Sequence, residues 1–450
     1  MVDTKQKIIS IDNIGGYGMG SLWKETVKLP SFPPLEGDVK TNVLIIGGGI
    51  TGILCAYMLE QASINYILVE ADSICSGVTQ NTTAKITSQH GLIYNKLIKE
   101  FGIEKAKMYL EASSDALQQF RELCQHIDCN YEVKDSFVYS LNEREPLEKE
   151  LKALDLLDYE AAYVSQLPLP MSTVGAIKFP NQAQFHPLKF IASISKSLHI
   201  YEHTKITELG VGAAKTNSGL ITADHIIMAT HFPILNKHGA YFLKMYQSRS
   251  YVLALENAQN VQGMYIDESG KGLSFRNQDN LLLLGGGGHR TGKKGGNWKE
   301  LSAFAHHYYP HAKERYRWAT QDCMTLDGVP YIGLYGKHTT DFYVATGFNK
   351  WGMTSSMVSA MLIRDKILGK THPYATVFDP HRTMLHPQLF INVCEATKNL
   401  LTFSAKRCPH LGCALKWNEV EHTWDCPCHG SRFTEKGELI NNPATDDLKP

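Results

Sequence analysis

Residues 43–52 constrain the fold of this 450-residue chain more than any other stretch. Val43-Leu44-Ile45-Ile46 is a short continuous apolar run, as expected of a parallel strand buried on both faces. It runs directly into Gly47-Gly48-Gly49-Ile50-Thr51-Gly52, then into an apolar-rich segment from Ile53 to Gln61 that reads as a helix. A second buried strand, Tyr66-Ile67-Leu68-Val69, ends in Glu70. Strand, glycine turn, helix, strand and acid together form a dinucleotide-binding fingerprint. Gly47 permits the tight turn, Gly49 lets the backbone approach a pyrophosphate, and Gly52 lets helix and strand pack closely. The helix N-terminus offers free N–H groups and positive partial charge to the phosphates. Glu70, 18 residues beyond Gly52, is placed to bind a ribose diol, with Ala71 beside it.

A second constraint lies near the C-terminal end. Cys408-Pro409-His410-Leu411-Gly412-Cys413 and Cys426-Pro427-Cys428-His429-Gly430-Ser431 are two boxes, each with Cys and His at short spacing. Fifteen residues separate His410 from Cys426. A [2Fe–2S] cluster with two thiolates on one iron and two imidazoles on the other needs such pairs on two loops. Cys408 and His410 would give one pair, Cys426 and His429 the other. Such pairs also hold a tetrahedral zinc ion. Zinc leaves Leu411-Gly412, Gly430-Ser431 and the two further cysteines unexplained.

The boxes resemble those of the Rieske iron–sulfur proteins of respiratory and photosynthetic complexes. The resemblance implies a disulfide between Cys413 and Cys428 that clamps the two loops. It implies that Ser431 hydrogen-bonds a bridging sulfide and that Asn442-Pro443-Ala444 is the proline loop over the cluster. Phe433 stands where many high-potential members have tyrosine, which removes one potential-raising hydrogen bond. Imidazole donates less charge than thiolate, so the potential is expected within roughly −150 to +300 mV.

The nucleotide fold does not continue into further βα units. Amphipathic helical patterns near 93–127 and 146–156 intervene. The sheet resumes at Ile221–Thr230 and again at Asp341–Gly347. This interrupted layout resembles the two-domain flavin oxidoreductases of the D-amino-acid oxidase and glycine oxidase type, over about residues 40–372. The likeness rests on several segments. Ala223–Thr230 resembles the family's strand that ends by the nucleotide. Thr325-Leu326-Asp327-Gly328-Val329-Pro330 resembles its late Asp-Gly-x-Pro strand. Ala345-Thr346-Gly347 through Trp351-Gly352-Met353 resembles its final glycine turn, where a helix N-terminus faces the flavin pyrimidine ring. Ser76-Gly77 through Thr83-Ala84-Lys85 resembles the loop that passes the isoalloxazine, and Phe179–Pro187 the segment that leads back to the nucleotide domain. Ser21-Leu22-Trp23 and Leu29–Pro33 resemble the lead-in of fusions of this oxidase domain to a Rieske domain.

The resemblance implies an α/β (α+β) FAD-binding oxidoreductase of two domains, a Rossmann-type nucleotide domain and a β-sheet substrate domain. A small all-β Rieske domain follows. The expected divisions are an extended lead-in at 1–38, the oxidoreductase at 39–372, a linker at 373–389 and the Rieske domain at 390–450. FAD would be held by parts near 39–90, 180–235 and 322–372, and substrate by parts near 91–179 and 236–321. Only Phe390–Val393 and Leu400–Phe403 read as strands before Cys408, so the lobe supporting the cluster loops is expected to be abridged.

Forty-five basic and 45 acidic residues cancel, which gives no electrostatic footprint for nucleic acid. No apolar run reaches the roughly 20 residues of a membrane span. Scattered cysteines without framework spacing, and an N-terminus without a signal-peptide pattern, suggest a cytoplasmic protein. Gly285–Gly288 lacks the Lys-Ser/Thr ending of a phosphate loop and reads as a strand end. The pairs His306/His311 and His381/His386 lack the acid of a mononuclear iron site. Lys85, His90, His231, Arg249, Tyr251 and Trp351 are expected on the flavin or substrate side, and no catalytic triad is evident. The chain is thus expected to oxidise a small amine or amino acid with FAD. Electrons would pass singly through the cluster, by a solvent-exposed His410/His429 edge, to a one-electron acceptor or donor protein. The alternative is an electron-transfer or redox-sensing protein without a dedicated substrate.

Overall fold

The computed structural model describes residues 18–235, 239–269 and 272–449. The part of the expected lead-in at 1–17 lies outside the described residues. Three sheets organise the rest. In the first, Phe342–Thr346, Leu220–Met228, Val39–Ile46, Tyr66–Val69 and Ile200–Tyr201 run parallel in that order. Val43, Leu44, Ile45 and Ile46 are all buried, because both faces of the sheet are covered: Val43 and Ile45 pack with Ile53, Leu54 and Met357 of two helices, Leu44 and Ile46 with Ile206 and Ala214 of two short strands. The helix Ile50–Gln61 packs against Gly352–Ile367, with a hydrogen bond of 2.8 Å between Thr51 Oγ1 and Ser356 Oγ.

The second sheet is large and mostly antiparallel. Its strand Met245–Glu256 lies between Leu281–Arg290 and Lys313–Thr325. The strand expected to end before Gly285–Gly288 continues through them to Arg290, paired there with Met245–Glu256. The amphipathic stretches form the helices Tyr94–Phe101, Ile103–Cys124 and Glu145–Leu156. The exposed His306 and His307 end the helix Trp298–Tyr308.

One helical turn, Leu22–Thr26, interrupts the segment expected to be extended. Ser21 caps it, and Trp23 is wholly buried with its Nε1–H donated to Thr82 O at 2.7 Å. The stretch 373–389 is packed against the oxidoreductase. Val377 and Phe378 are buried, and Arg382 forks onto the Asp327 carboxylate (Nε to Oδ2 2.6 Å, Nη2 to Oδ1 2.8 Å).

The third sheet is small: Lys416–Asn418, Thr423–Asp425, Arg432–Thr434 and Leu439–Asn441. The strand expected at Phe390–Val393 is instead part of a helix, Pro387–Leu401. Its start is written in the sequence, since Pro387 occupies the first turn and the His386 side chain accepts from Gln388 N. Its orientation is set by polar groups. Asn392 and Asn399, seven apart on one face, are buried, whereas Phe390 is 72% exposed. The apolar run suggested a strand because tertiary hydrogen bonds of the asparagines are invisible to hydropathy. Leu400 and Leu401 end this helix and Phe403 follows without strand structure, so the second expected strand is also not formed.

Candidate functional site

A cavity of about 1450 Å³ runs between the first two sheets and under the small one. Gly47, Gly49, Ile50, Thr51, Glu70, Ala71, Gly77, Thr83, Lys85, Gly352 and Met353 line it. Gly48, Gly52, Ala84 and Gly347 stand behind that lining and shape it. A Cβ on Gly52 would meet Gly47 O at 1.9 Å, and one on Gly347 would meet Thr325 Cγ2 at 2.3 Å. Gly48 N donates to Glu70 Oε2 at 2.6 Å and Asp72 N to Oε1 at 3.0 Å, so the carboxylate is held in place. Burial raises the Glu70 carboxyl above its ordinary range, against those two bonds. Ile50 N–H, at the start of the helix, is taken by Thr79 Oγ1 at 3.1 Å. The helix Gly352–Ile367 has no side-chain cap at Trp351, which leaves its first N–H groups for a ligand.

This cradle fits a dinucleotide. A Cβ on Gly49 would touch only Thr79 Oγ1, at 3.4 Å, so no protein contact requires glycine there. The space above Gly49 is reserved for something the chain does not supply. Gly49→Val is therefore expected to give folded protein that purifies without flavin but with its cluster. The ratio of flavin to protein absorbance measures this, and full flavin occupancy would remove residues 47–52 from the nucleotide site.

Titratable groups gather deeper in the cavity. Burial, with Arg276 nearby, lowers Lys85 to about 7, and its Nζ donates to Thr83 Oγ1 at 3.3 Å. Burial lowers His231 to about 4. Asp322 lies deep beneath the protein surface but opens on the cavity, and burial raises it to about 6 against the pull of Lys350 and Arg249. His90 stacks on Trp351 at 4.9 Å, bonds Tyr109 OH through Nδ1 at 2.7 Å, and leaves Nε2 buried without a partner.

The two cysteine–histidine loops meet at one point. Cys408 and Cys426 are buried with their thiols hydrogen-bonded to each other, and the His410 and His429 rings stand 4.9 Å apart. His429 Nδ1 is buried without a hydrogen-bond partner. Two thiols, two imidazoles and an unpartnered ring nitrogen fit a [2Fe–2S] cluster with mixed ligation. Cys413 and Cys428 form a disulfide with Cα atoms 6.7 Å apart. The sulfurs of Cys413, Cys426 and Cys428 also cluster within 4.8 Å, but the disulfide takes two of them and leaves Cys426 as the thiol. Ser431 hydrogen-bonds the Cys408 thiol, and its Oγ accepts from Ala444 N at 3.0 Å, which ties the proline loop to the first box. Phe433 is fully buried beside them.

The histidine edge points inward, contrary to the expectation of a solvent-exposed one. His429 is 3% exposed, and its ring meets Phe232 and Phe242 of the oxidoreductase edge-on. The surface that turns the edge inward carries polar residues that sequence reasoning missed. Gln247 Nε2 donates to His429 O, and Gln321 Nε2 to Gly430 O, each at 2.8 Å. Arg290 donates to Pro427 O at 2.9 Å and Cys428 O at 2.8 Å. Gly430, at φ +87°, allows this approach, since a Cβ would fall 2.5 Å from Gln247 Cβ. No motif marks these side chains, because their role exists only across the domain contact. Asn441, Asn442, Ala444 and Thr445 complete the cavity wall, so one space borders both the glycine turn and the cluster lobe.

Fold and site together define a flavoprotein oxidoreductase with an attached iron–sulfur domain. Residues 42–366 match the family described as FAD dependent oxidoreductase (DAO), and residues 380–450 match the Rieske [2Fe-2S] domain. The chain belongs to the DAO family of FAD-dependent oxidoreductases and carries a C-terminal Rieske domain; FAD and a [2Fe–2S] cluster are its cofactors. It is 34% identical to the putative Rieske 2Fe-2S iron-sulfur protein YhfW of Bacillus subtilis, over 95% of this chain and 96% of the relative. It is 22% identical to the gamma-glutamylputrescine oxidoreductase of Escherichia coli, over 76% of this chain and 87% of the relative. The glycine oxidase of Geobacillus kaustophilus shares the fold, with a TM-score of 0.65 and 18% identity over 77% of this chain and 99% of that one. Among the described residues no helix is long and apolar enough to cross a membrane.

Proposed function

We propose that this chain oxidises a small amine or amino acid in the cavity and delivers the electrons singly, by way of the cluster, to an acceptor outside the chain. The observation that carries the reading is the shared wall: the glycine turn and the proline loop of the cluster lobe border the same space. When bound, FAD accepts electrons in pairs and the cluster carries them one at a time. In this reading the turn Gly47–Gly52 receives the pyrophosphate, and Glu70, fixed by Gly48 N and Asp72 N, receives the ribose. Thr83, Ala84 and Lys85 border one side of the isoalloxazine, and Gly347, Gly352 and Met353 its pyrimidine end. Cys408, His410, Cys426 and His429 hold the cluster. Asp322, with a carboxyl near 6 that opens on the cavity, is suited to take a proton from a substrate ammonium.

Relatives named for gamma-glutamylputrescine and for glycine support an amine or amino acid as substrate. The alternative, a redox protein without a dedicated substrate, expects side chains to fill the space beyond the glycine turn, whereas the cavity stays open there. Anaerobic stopped-flow mixing of the holoprotein with amines, amino acids and 2-hydroxy acids tests the choice. Bleaching of the flavin band by a nitrogen-bearing compound is expected. If 2-hydroxy acids alone bleach it, the substrate class is wrong. If nothing bleaches it while dithionite does, the alternative holds.

A further inference from the structure

Glu421 lies between the strands Lys416–Asn418 and Thr423–Asp425 of the cluster lobe, yet most hydrogen bonds to its carboxylate come from the other domain. Arg249 Nε donates to its Oε1 at 2.8 Å, Arg249 Nη2 donates to Oε2, and Tyr251 OH donates to Oε1 at 3.1 Å. Its own lobe gives the carboxylate one bond, from Arg432 Nη2 to Oε2 at 2.9 Å, and takes its backbone N–H at Asn418 Oδ1, 3.2 Å away. The Arg249 and Glu421 side chains are 8% and 9% exposed. Burial alone would raise this carboxyl, but the Arg249 and Arg432 guanidinium groups outweigh burial and hold it at about 2. Glu421 is therefore an anion at any working pH.

Arg249 and Tyr251 stand two apart on the strand Met245–Glu256, so their side chains share one face, and both line the cavity. A guanidinium fork and a hydroxyl on one rigid strand form a receptor for a carboxylate. Gln247, next in that row, donates to His429 O and to Asn442 O. The same row of side chains thus grips the lobe at its carboxylate and at the cluster loop.

We propose that Arg249 and Tyr251 are a carboxylate-binding site of the cavity and that Glu421 is its internal ligand. Docking of the cluster lobe and binding of a free carboxylate at this pair exclude each other. With the lobe docked the pair is filled, and a substrate's carboxylate has no claim on it. With the lobe lifted, Arg249 is a cation without its partner, a state that favours either re-docking or capture of an anion. A carboxylate solute that binds only the lifted form shifts the balance toward it by mass action. The lifted form also frees the His429 edge from Phe232 and Phe242. The inference rests on the contact geometry and holds whatever the substrate.

Acetate is the probe and the full-length holoprotein the material. Glu421→Gln keeps the shape and removes the charge, while Arg432 retains Asp425 Oδ1 at 2.9 Å. Calorimetric titration is expected to show acetate bound at least tenfold more tightly by Glu421→Gln than by wild type. Adding Arg249→Met to that variant is expected to abolish the gain. In the wild type, acetate, but not chloride at equal ionic strength, is expected to speed amide exchange across Asn441–Thr445. If Glu421→Gln retains flavin and cluster absorbance and binds acetate no more tightly than wild type, the pair is a static interdomain contact and the proposal is overturned. If Glu421→Gln loses its cofactors, Glu421→Asp decides, since it withdraws the carboxylate by one methylene and keeps its charge. A several-fold gain in acetate affinity is expected there, and no gain overturns the proposal.

Discussion

Gly52→Val is expected to unfold the nucleotide domain. The new Cβ would fall 1.9 Å from Gly47 O, inside any possible contact. The turn has no room to retreat, because Gly47 itself sits at φ +111° with its would-be Cβ 2.6 Å from Ala229 O. The helix Ile50–Gln61 would have to lift from the sheet, and Ile53, Leu54, Met58 and Leu59, all buried, would lose their packing. Each such side chain is worth about 1.5–3 kcal/mol when fully buried. The loss would therefore rival the whole stability of a domain, roughly 5–15 kcal/mol. Urea or thermal unfolding followed by circular dichroism measures it. Gly49→Val is the matched control, since its Cβ meets no backbone. Equal midpoints for the two variants would show that the helix and turn are not in the close contact described.

His429→Ala is expected to abolish the cluster and leave the flavin bound. Its ring is one of two imidazoles at the point where the Cys408 and Cys426 thiols meet, and its Nδ1 has no protein partner. Without it the loops keep the Cys413–Cys428 disulfide and the Ser431 bond to Ala444 N, so the lobe retains its frame. The glycine turn and Glu70 lie elsewhere in the cavity wall and are untouched. Iron and acid-labile sulfide should fall together to background, with flavin absorbance unchanged. Wild-type protein with zinc in place of iron would return the site to the structural metal that the same residue types also suit.

What was legible in the sequence follows from how local its cause is. The strand Val39–Ile46, the glycine turn and the helix after it are dictated within about 30 residues by burial on both faces and by turn geometry, and they stand where expected. The two cysteine–histidine boxes are legible for the same reason: their residue types and spacing are set within two short loops, and the Cys408 and Cys426 thiols and the His410 and His429 rings meet as expected. The helix Pro387–Leu401 was misread because its buried face is polar, with Asn392 donating to Leu243 O at 3.2 Å, and its apolar side chains face out. The inward turn of His429 was not legible, because it depends on Gln247, Gln321 and Arg290, three residues of another domain with no motif of their own. Glu421 was missed likewise: a lone glutamate in a polar turn reads as a solvated surface charge, and only the Arg249 fork makes it otherwise.

The proposed electron path from cavity to cluster is tested most directly by mixing the holoprotein anaerobically with an amine that bleaches its flavin and freezing samples at intervals for EPR. The reduced-cluster signal of mixed histidine and cysteine ligation is expected to grow in after the flavin band falls. In His429→Ala the flavin should bleach at an unchanged rate with no signal. A flavin that bleaches fully while the wild-type cluster stays oxidised, though dithionite reduces it, would rule that path out.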